Sequence, residues 1–506
     1  MAIINSLMSW VMKKRMHQIE LFMKYPNEVQ REWFDKLISS AKNTEWGKHY
    51  DYSSVKTPEQ FANRIPVQSY DDLKPFVDRL KLGEQNLLWP TETKWFAKSS
   101  GTTNNKSKFI PVTKEALDDC HYKGGKDMLS IYCNNYPTTN VFNGMALMMG
   151  GSSQPIDSST NSYHGDLSAI IIKNLPFWVE YLRTPGKEVA LLDNFEDKLK
   201  KMTEITVNED VTNLSGVPSW TLILLHKILE NTGKSSILDI WPNLEVFFHG
   251  GVNFTPYRKE FKQLIPSDKM HYLETYNASE GFFGIQDQKN SEELLLMLDY
   301  GIYYEFVPMN EWDNEFPKTI NLSEVMLGVN YAILITTNAG LWRYKVGDTV
   351  IFTSISPYRI KISGRTKHFI NAFGEELIID NAEKGLEKAC LATGAAIKEY
   401  TAGPIFLKDK EAGNHEWIIE FIRPPNNIAD FTQVLDQTLQ DLNTDYAAKR
   451  KGNMALKLPI IHTAKENTFF NWLKSKGKLG GQNKVPRLAN TREYLDEILS
   501  IINTHA

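Results

Sequence analysis

At 506 residues the chain exceeds what one compact core organises and is expected to divide into about two to four domains. Hydrophobic residues at 42% and charged residues at 23% are ordinary for a folded enzyme and exclude a disordered chain. With 57 Lys plus Arg against 61 Asp plus Glu, the net charge of -4 supplies no basic field to gather nucleic acid or an anionic membrane, so a small-molecule partner is expected. Cys120, Cys133 and Cys390 are too dispersed for a disulfide framework or a CxxC metal site. They read as buried apolar fillers in a protein of a reducing, cytoplasmic compartment.

The chain opens on Ile3, Ile4, Leu7, Met8, Val11 and Met12, followed by Lys13, Lys14 and Arg15. A secretory signal places its basic residues before its apolar run, and this segment is too short and polar to span a bilayer. An amphipathic helix packed on the body is expected, with docking to a membrane surface as the alternative. Trp220, Ile223, Leu224 and Ile228 recur at helical spacing after Pro218 and Ser219, and Gly233 provides the stop. An extended, partly apolar run begins at Met270. From Leu341 to Phe352 two short extended runs flank Gly347 and Asp348, the composition of a hairpin turn or tight loop. Tyr358, Ile360 and Ile362 then alternate with Arg359, Lys361 and Ser363 as a strand.

The polar junction Gly364, Arg365, Thr366, Lys367 is the expected boundary between a large domain, residues 1–365, and a small one, residues 366–506. Beyond it lie a strand from Glu416 to Ile422 ended by Pro424 and Pro425, and a helix with the buried stripe Phe431, Val434, Leu435, Thr438, Leu439 and Leu442 capped by Asp430. No internal repeat is present. Alternating helical and extended patterns predict an α/β class with mixed, α+β character.

Three clusters carry candidate chemistry. In the loop Ser99, Ser100, Gly101, Thr102, Thr103, Asn104, Asn105, Lys106, Ser107, Lys108, hydroxyls and backbone N–H groups around a glycine can donate to phosphate oxygens, and a lysine adds a mobile charge. The GxxxxGK[ST] spacing of a P-loop is absent. A solvated turn has the same composition. The second cluster, Tyr276, Asn277, Ala278, Ser279, Glu280, Gly281, offers a ring for a base, hydrogen-bonding groups for a nucleotide and a carboxylate for Mg2+. Upstream, Gly250 and Gly251 after His249 would let a flat base approach the backbone. The third is Gly340 to Asp348 with Gly364 and Arg365 one strand later, in which a carboxylate can accept from both ribose hydroxyls. Each cluster alone has a purely structural reading.

The ordered set SSGTTNNKSK, HGGVNF, TYNASEGFFG, GLWRYKVGD, SGRTKHFINAFGEEL and QNKVPRL resembles the adenylate-forming superfamily, and more closely the auxin-responsive acyl acid amido synthetases of the Gretchen Hagen family, over nearly the whole chain. The small-domain stretch with Asn443, Tyr446 and Arg450, and the later Thr468-Phe469, look like that family too.

That resemblance implies a large adenylation domain with nucleotide and acyl-acid sites, and a small mobile domain carrying the late lysine loop. It implies ATP and Mg2+ as cofactors, with a small carboxylic acid and an amino acid or other amine as partners. Ser99, Ser100, Gly101, Thr102 and Thr103 would line the phosphate loop with Lys108 at its basic end. Tyr276 would stack on adenine, with Asn277, Gly250 and Gly251 beside the nucleotide. Ser279 would approach the α-phosphate and Glu280 would bind Mg2+. Asp348 and Arg365 would hold the ribose, Lys367 would sit at the hinge, and Lys484 would reach the adenylate oxygens. Asn105 departs from the glycine of many relatives. Val217, Trp220 and Phe282 are candidate apolar walls for the acid, with core packing preferred for Trp220. Transfer to coenzyme A instead of an amine, and a nonenzymatic acid- or nucleotide-binding role, are the competing expectations.

Overall fold

The computed structural model describes residues 2–99, 108–151, 153–156, 161–251, 254–255, 257–312, 314, 317–366, 369–370, 375, 377–405, 413–450, 456–478, 484–489 and 491–504. The chain forms two compact units. The first comprises Met1–Phe254, Glu260–Val346 and Val350–Lys361, and the second Thr255–Lys259, Gly347–Thr349 and Ile362–Ala506.

The largest sheet among the described residues has 12 strands. One half is parallel: Arg183–Thr184, Met145–Met148, Val211–Gly216, Val246–Gly250 and His271–Ala278 lie side by side. Parallel neighbours need a crossover, and the helix Pro218–Thr232 supplies one between Val211–Gly216 and Val246–Gly250. It has Pro218 in its first turn and stops at Gly233, which adopts φ +65, as the spacing predicts. The other half is antiparallel, with Gly281–Ile285, Leu294–Leu296, Tyr358–Arg365, Tyr344–Ile355, Asn330–Thr337, Ile302–Pro308 and Ile320–Asn321 following in space. A smaller sheet carries the strands Trp95–Ser99 and Lys108–Val112 in antiparallel register. The mixed sheets and interleaved helices are the expected α/β class.

The N-terminal helix Ala2–Lys24 packs on the body, burying Met12, Ile19 and Phe22. Arg15, the last of the basic trio, is only 8% exposed. Its Nε and Nη2 donate to the two Asp127 oxygens at 2.6 and 2.9 Å, and the Tyr300 hydroxyl donates to the same carboxylate at 2.9 Å. Arg15 is therefore an internal anchor, while its neighbour Lys14 stays exposed. Among the described residues no helix is long and apolar enough to cross a membrane.

The second unit holds the antiparallel strands Ala396–Ile405 and Asn414–Arg423, with Ile460–Ala464 parallel to the latter. The helices Ile379–Thr393 and Ile428–Leu442 pack through Leu386, Ala389, Phe431, Leu435 and Leu439. Three local expectations change. The cap of Ile428–Leu442 is Asn427, whose side chain accepts from Ala429 N, and Asp430 lies inside the first turn. Gly347 and Asp348 fall within the continuous strand Tyr344–Ile355, and the reversal comes at Ser356-Pro357. A single Gly at φ +92 is tolerated in a paired strand, which composition alone does not distinguish from a turn. Cys120 and Cys133 are buried, but Cys390 is half-buried.

Removing Arg15 while Asp127 stays buried leaves an uncompensated carboxylate. Arg15→Ala is expected to lower unfolding free energy by about 3–5 kcal/mol, read as a lower urea midpoint.

Candidate active site

The parallel strands Val211–Gly216, Val246–Gly250 and His271–Ala278 end together, with Gly216 opposite His249 and Gly250 opposite Thr275. Carboxyl ends of parallel strands are where α/β sheets open to ligands. Gly250 is required there by its own neighbours: an added Cβ would lie 2.4 Å from the Thr275 carbonyl oxygen and 3.1 Å from Asn277 Oδ1. The observed close approach at Gly250 is thus that of the adjacent strand. Gly251, at φ +81, turns the chain after it.

The strand His271–Ala278 returns as Gly281–Ile285, with Gly281 paired to Ala278, so Ser279 and Glu280 form a two-residue hairpin tip. Hairpin tips are ordinarily solvated, yet Ser279 is 4% and Glu280 9% exposed. The Ser279 Oγ meets no hydrogen-bond partner among the described residues. Asn277 is exposed, whereas Tyr276 is buried with its ring centroid 4.9 Å from Phe283.

Behind the hairpin lies a π-helical stretch, Ala116–Tyr122, continuing into the helix Lys123–Asn135. Phe282 N donates to Cys120 Sγ at 3.1 Å, and a Cβ on Gly124 would fall 2.5 Å from the Phe282 ring. Phe282 is therefore core, packed edge-on to Tyr300 at 6.0 Å, and Trp220 is buried on its own helix.

Ser99 and Lys108 face each other across the two antiparallel strands, closing the mouth of the loop between them. Ser100, Gly101, Thr102 and Thr103 lie outside the described residues, as does Lys367. The Lys108 ammonium stands 5.9 Å from the centre of the Tyr344 ring. Tyr344 is fully buried, and its environment holds its hydroxyl well above the usual tyrosine range, by desolvation first and the Glu280 carboxylate second. Within the first unit, then, the structure brings Lys108, Tyr344 and the Ser279-Glu280 tip together. The sequence offered Tyr344 only as a member of a motif.

Asp348 and Arg365 belong to the second unit. Thr366 N donates to Gly347 O at 2.8 Å, and Ser363 Oγ donates to Thr349 Oγ1 at 2.9 Å. Those bonds set Asp348 (5% exposed) beside the strand end that carries Arg365, whose side chain is outside the described residues. Lys484 is exposed, at the start of a segment pinned to Ala396–Ile405. Ala402 N donates to Arg487 O at 2.9 Å and Ala489 N to Ala402 O at 3.0 Å. The Arg487 guanidinium pairs with Glu399, lies 4.6 Å from the Tyr400 ring and donates to Tyr257 Oη at 3.1 Å.

Family models match along most of the chain: the GH3 family N-terminal domain over residues 15–270, the central domain over 295–365 and the C-terminal domain over 380–493. Indole-3-acetic acid-amido synthetase GH3.3 of Arabidopsis thaliana is 22% identical over 97% of this chain and 94% of its own. Jasmonoyl–L-amino acid synthetase JAR6 of Nicotiana attenuata is 22% identical over 97% and 96%. Among solved structures, the AtGH3.15 acyl acid amido synthetase in complex with 2,4-DB aligns with a TM-score of 0.80 at 17% identity, covering 97% of this chain and 96% of that one. A 2-hydroxyisobutyryl-CoA ligase in the postadenylation state aligns at 0.59 and 12%, covering 94% and 91%, and shares the fold. The domain models, taken in order from residue 15 to residue 493, place this chain in the GH3 family.

Proposed function

We propose that this protein activates a carboxylic acid with ATP as an acyl-adenylate and passes the acyl group to an amine, an amino acid, giving an amide. The protein is an acid–amino acid ligase. The observation that carries the reading is the buried Ser279-Glu280 tip gathered with Lys108 in a chain whose relatives, matched over nearly their whole length, are named an indole-3-acetic acid-amido synthetase and a jasmonoyl–L-amino acid synthetase. Residues 1–365 act as the adenylation domain and residues 366–506 as the small domain that delivers Lys484.

In the first half-reaction an oxygen of the substrate carboxylate attacks the α-phosphorus of ATP and pyrophosphate leaves. Lys108 and the loop from Ser99 to Thr103 hold the phosphates, and Ser279 donates to an α-phosphate oxygen. Tyr276 and Asn277, with Gly250 and Gly251, frame the base, and Asp348 accepts from the ribose hydroxyls beside Arg365. A single buried carboxylate together with phosphate oxygens is a donor set suited to Mg2+ carried on a nucleotide, and Glu280 provides that carboxylate. When bound, the ion neutralises phosphate charge. In the second half-reaction the amine nitrogen attacks the acyl carbonyl, loses a proton, and AMP departs. Lys484 neutralises charge on the adenylate oxygens, while Arg487 fixes the segment that presents it.

Pyrophosphate release across a panel of carboxylic acids, with and without an amino-acid mixture and with products identified by mass, tests the reading. An amide is expected. A thioester with added coenzyme A would move the assignment to an acyl-CoA ligase, and ATP and acid binding without release would make this a binding protein. Glu280→Ala and Asp348→Ala are both expected to abolish acid-dependent release, and normal adenylation by both would overturn the site. Lys484→Met is expected to slow adenylation by about 100-fold. Because Lys484 is exposed, stability should change by less than about 0.5 kcal/mol, checked by thermal unfolding of the same samples.

A further inference from the structure

We propose that the Tyr344 hydroxyl is a further catalytic residue, a neutral hydrogen-bond donor to a phosphoryl oxygen of the nucleotide between Lys108 and Glu280. The inference rests on the adenylation reading above and adds a donor to that site.

Buried hydroxyl groups in folded proteins are nearly always hydrogen-bonded. Tyr344 is 0% exposed and its Oη has no partner among the described residues. The Ser279 Oγ is the second buried oxygen in this region without one. Both adjoin the same residue: Ser279 precedes Glu280 in the chain, and Glu280 is the largest charged influence on Tyr344. The Lys108 ammonium faces the Tyr344 ring, and Tyr70, whose oxygen accepts from Phe109 N at 2.9 Å, adjoins it. Two protonated donors and an ammonium around one carboxylate form a surface complementary to an anion that brings its own cation.

Burial and the Glu280 charge keep Tyr344 protonated throughout the physiological range, so its part is to donate and not to act as a base. Its position is fixed before any ligand arrives. Gln68 N donates to Arg343 O at 2.9 Å and Lys345 N donates to Gln68 O at 2.8 Å, bracketing Tyr344 from both sides. A donor held rigidly in a dry site stabilises developing phosphoryl charge without reorganisation.

The test is Tyr344→Phe in the full-length protein, which keeps the ring and removes only the oxygen. Acid-dependent ATP–pyrophosphate exchange, ATP affinity and the melting temperature are measured on wild type and variant. The expected result is a melting temperature equal to or above wild type, because an unsatisfied buried hydroxyl is lost, with exchange kcat reduced by about 10- to 100-fold. ATP affinity should change far less than kcat. Exchange at the wild-type rate would overturn the proposal, and so would a loss of exchange matched by a lower melting temperature, which marks a packing role. Wild type without exchange on any acid would instead overturn the adenylation reading on which the proposal stands, and that outcome is seen before the variant is made.

Discussion

Arg343 is the residue on which the first unit turns. Its guanidinium donates to both Glu305 oxygens, to the carbonyls of Ala62 and Ile65, and to Thr319 Oγ1 at 2.8 Å. Arg343 and Glu305 are each almost fully buried. An ion pair taken out of water is stabilising only when its remaining donors and acceptors are met, and here the donors are met by the segment before Gln68, the strand Ile302–Pro308 and Thr319. The same residue adopts φ +44, a left-handed conformation that a non-glycine side chain enters at a cost of about 1–3 kcal/mol. The bonds around it over-determine that conformation. The consequence is positional: the helical N-terminal region is tied to the sheet, and Tyr344 starts its strand facing Lys108 and Glu280.

A second constraint acts from behind. The Ser279-Glu280 tip is held by a hairpin whose first outgoing residues, Gly281 and Phe282, have no room to move: a Cβ at Gly281 would meet Ile302 at 2.8 Å, and Phe282 is seated on Gly124 and bonded to Cys120. Dense packing around a polar tip raises the free energy of that tip when nothing binds it, since Ser279 Oγ has no partner among the described residues. Under the function proposed above, stability given up at the tip is recovered when phosphate oxygens supply the missing partners. The second unit uses the same arrangement in reverse. There the exposed Lys484 is followed by Val485, Leu488 and the paired Arg487, all of which are buried or nearly so, so an exposed lysine stands on a packed base.

Much was legible in the sequence because it depends on local chemistry. Periodicity fixed the helix Pro218–Thr232 and its glycine stop, the extended run after Met270, and the packed N-terminal helix. The ordered motifs named the GH3 family, and the alternation of elements gave the mixed α/β class. Where the reading slipped, one residue type served two conformations. Gly347-Asp348 has turn composition and lies in a strand, and Asn427 and Asp430 are both good caps, of which only the first has its side chain on a free N–H.

What composition and spacing determined, then, was which chemical groups the chain carries and in what order. Only tertiary structure decided which of them lose water. Lys14 and Arg15 are adjacent in sequence, yet the first is exposed and the second is buried against Asp127, because helix rotation of about 100° per residue puts them on different faces. Tyr276 and Tyr344 are both buried tyrosines in motifs, yet the first packs on Phe283 and the second ends on a hydroxyl with no partner among the described residues. That difference is a matter of which distant segments arrive beside each ring. Desolvation depends on long-range packing, which no local pattern of residues specifies.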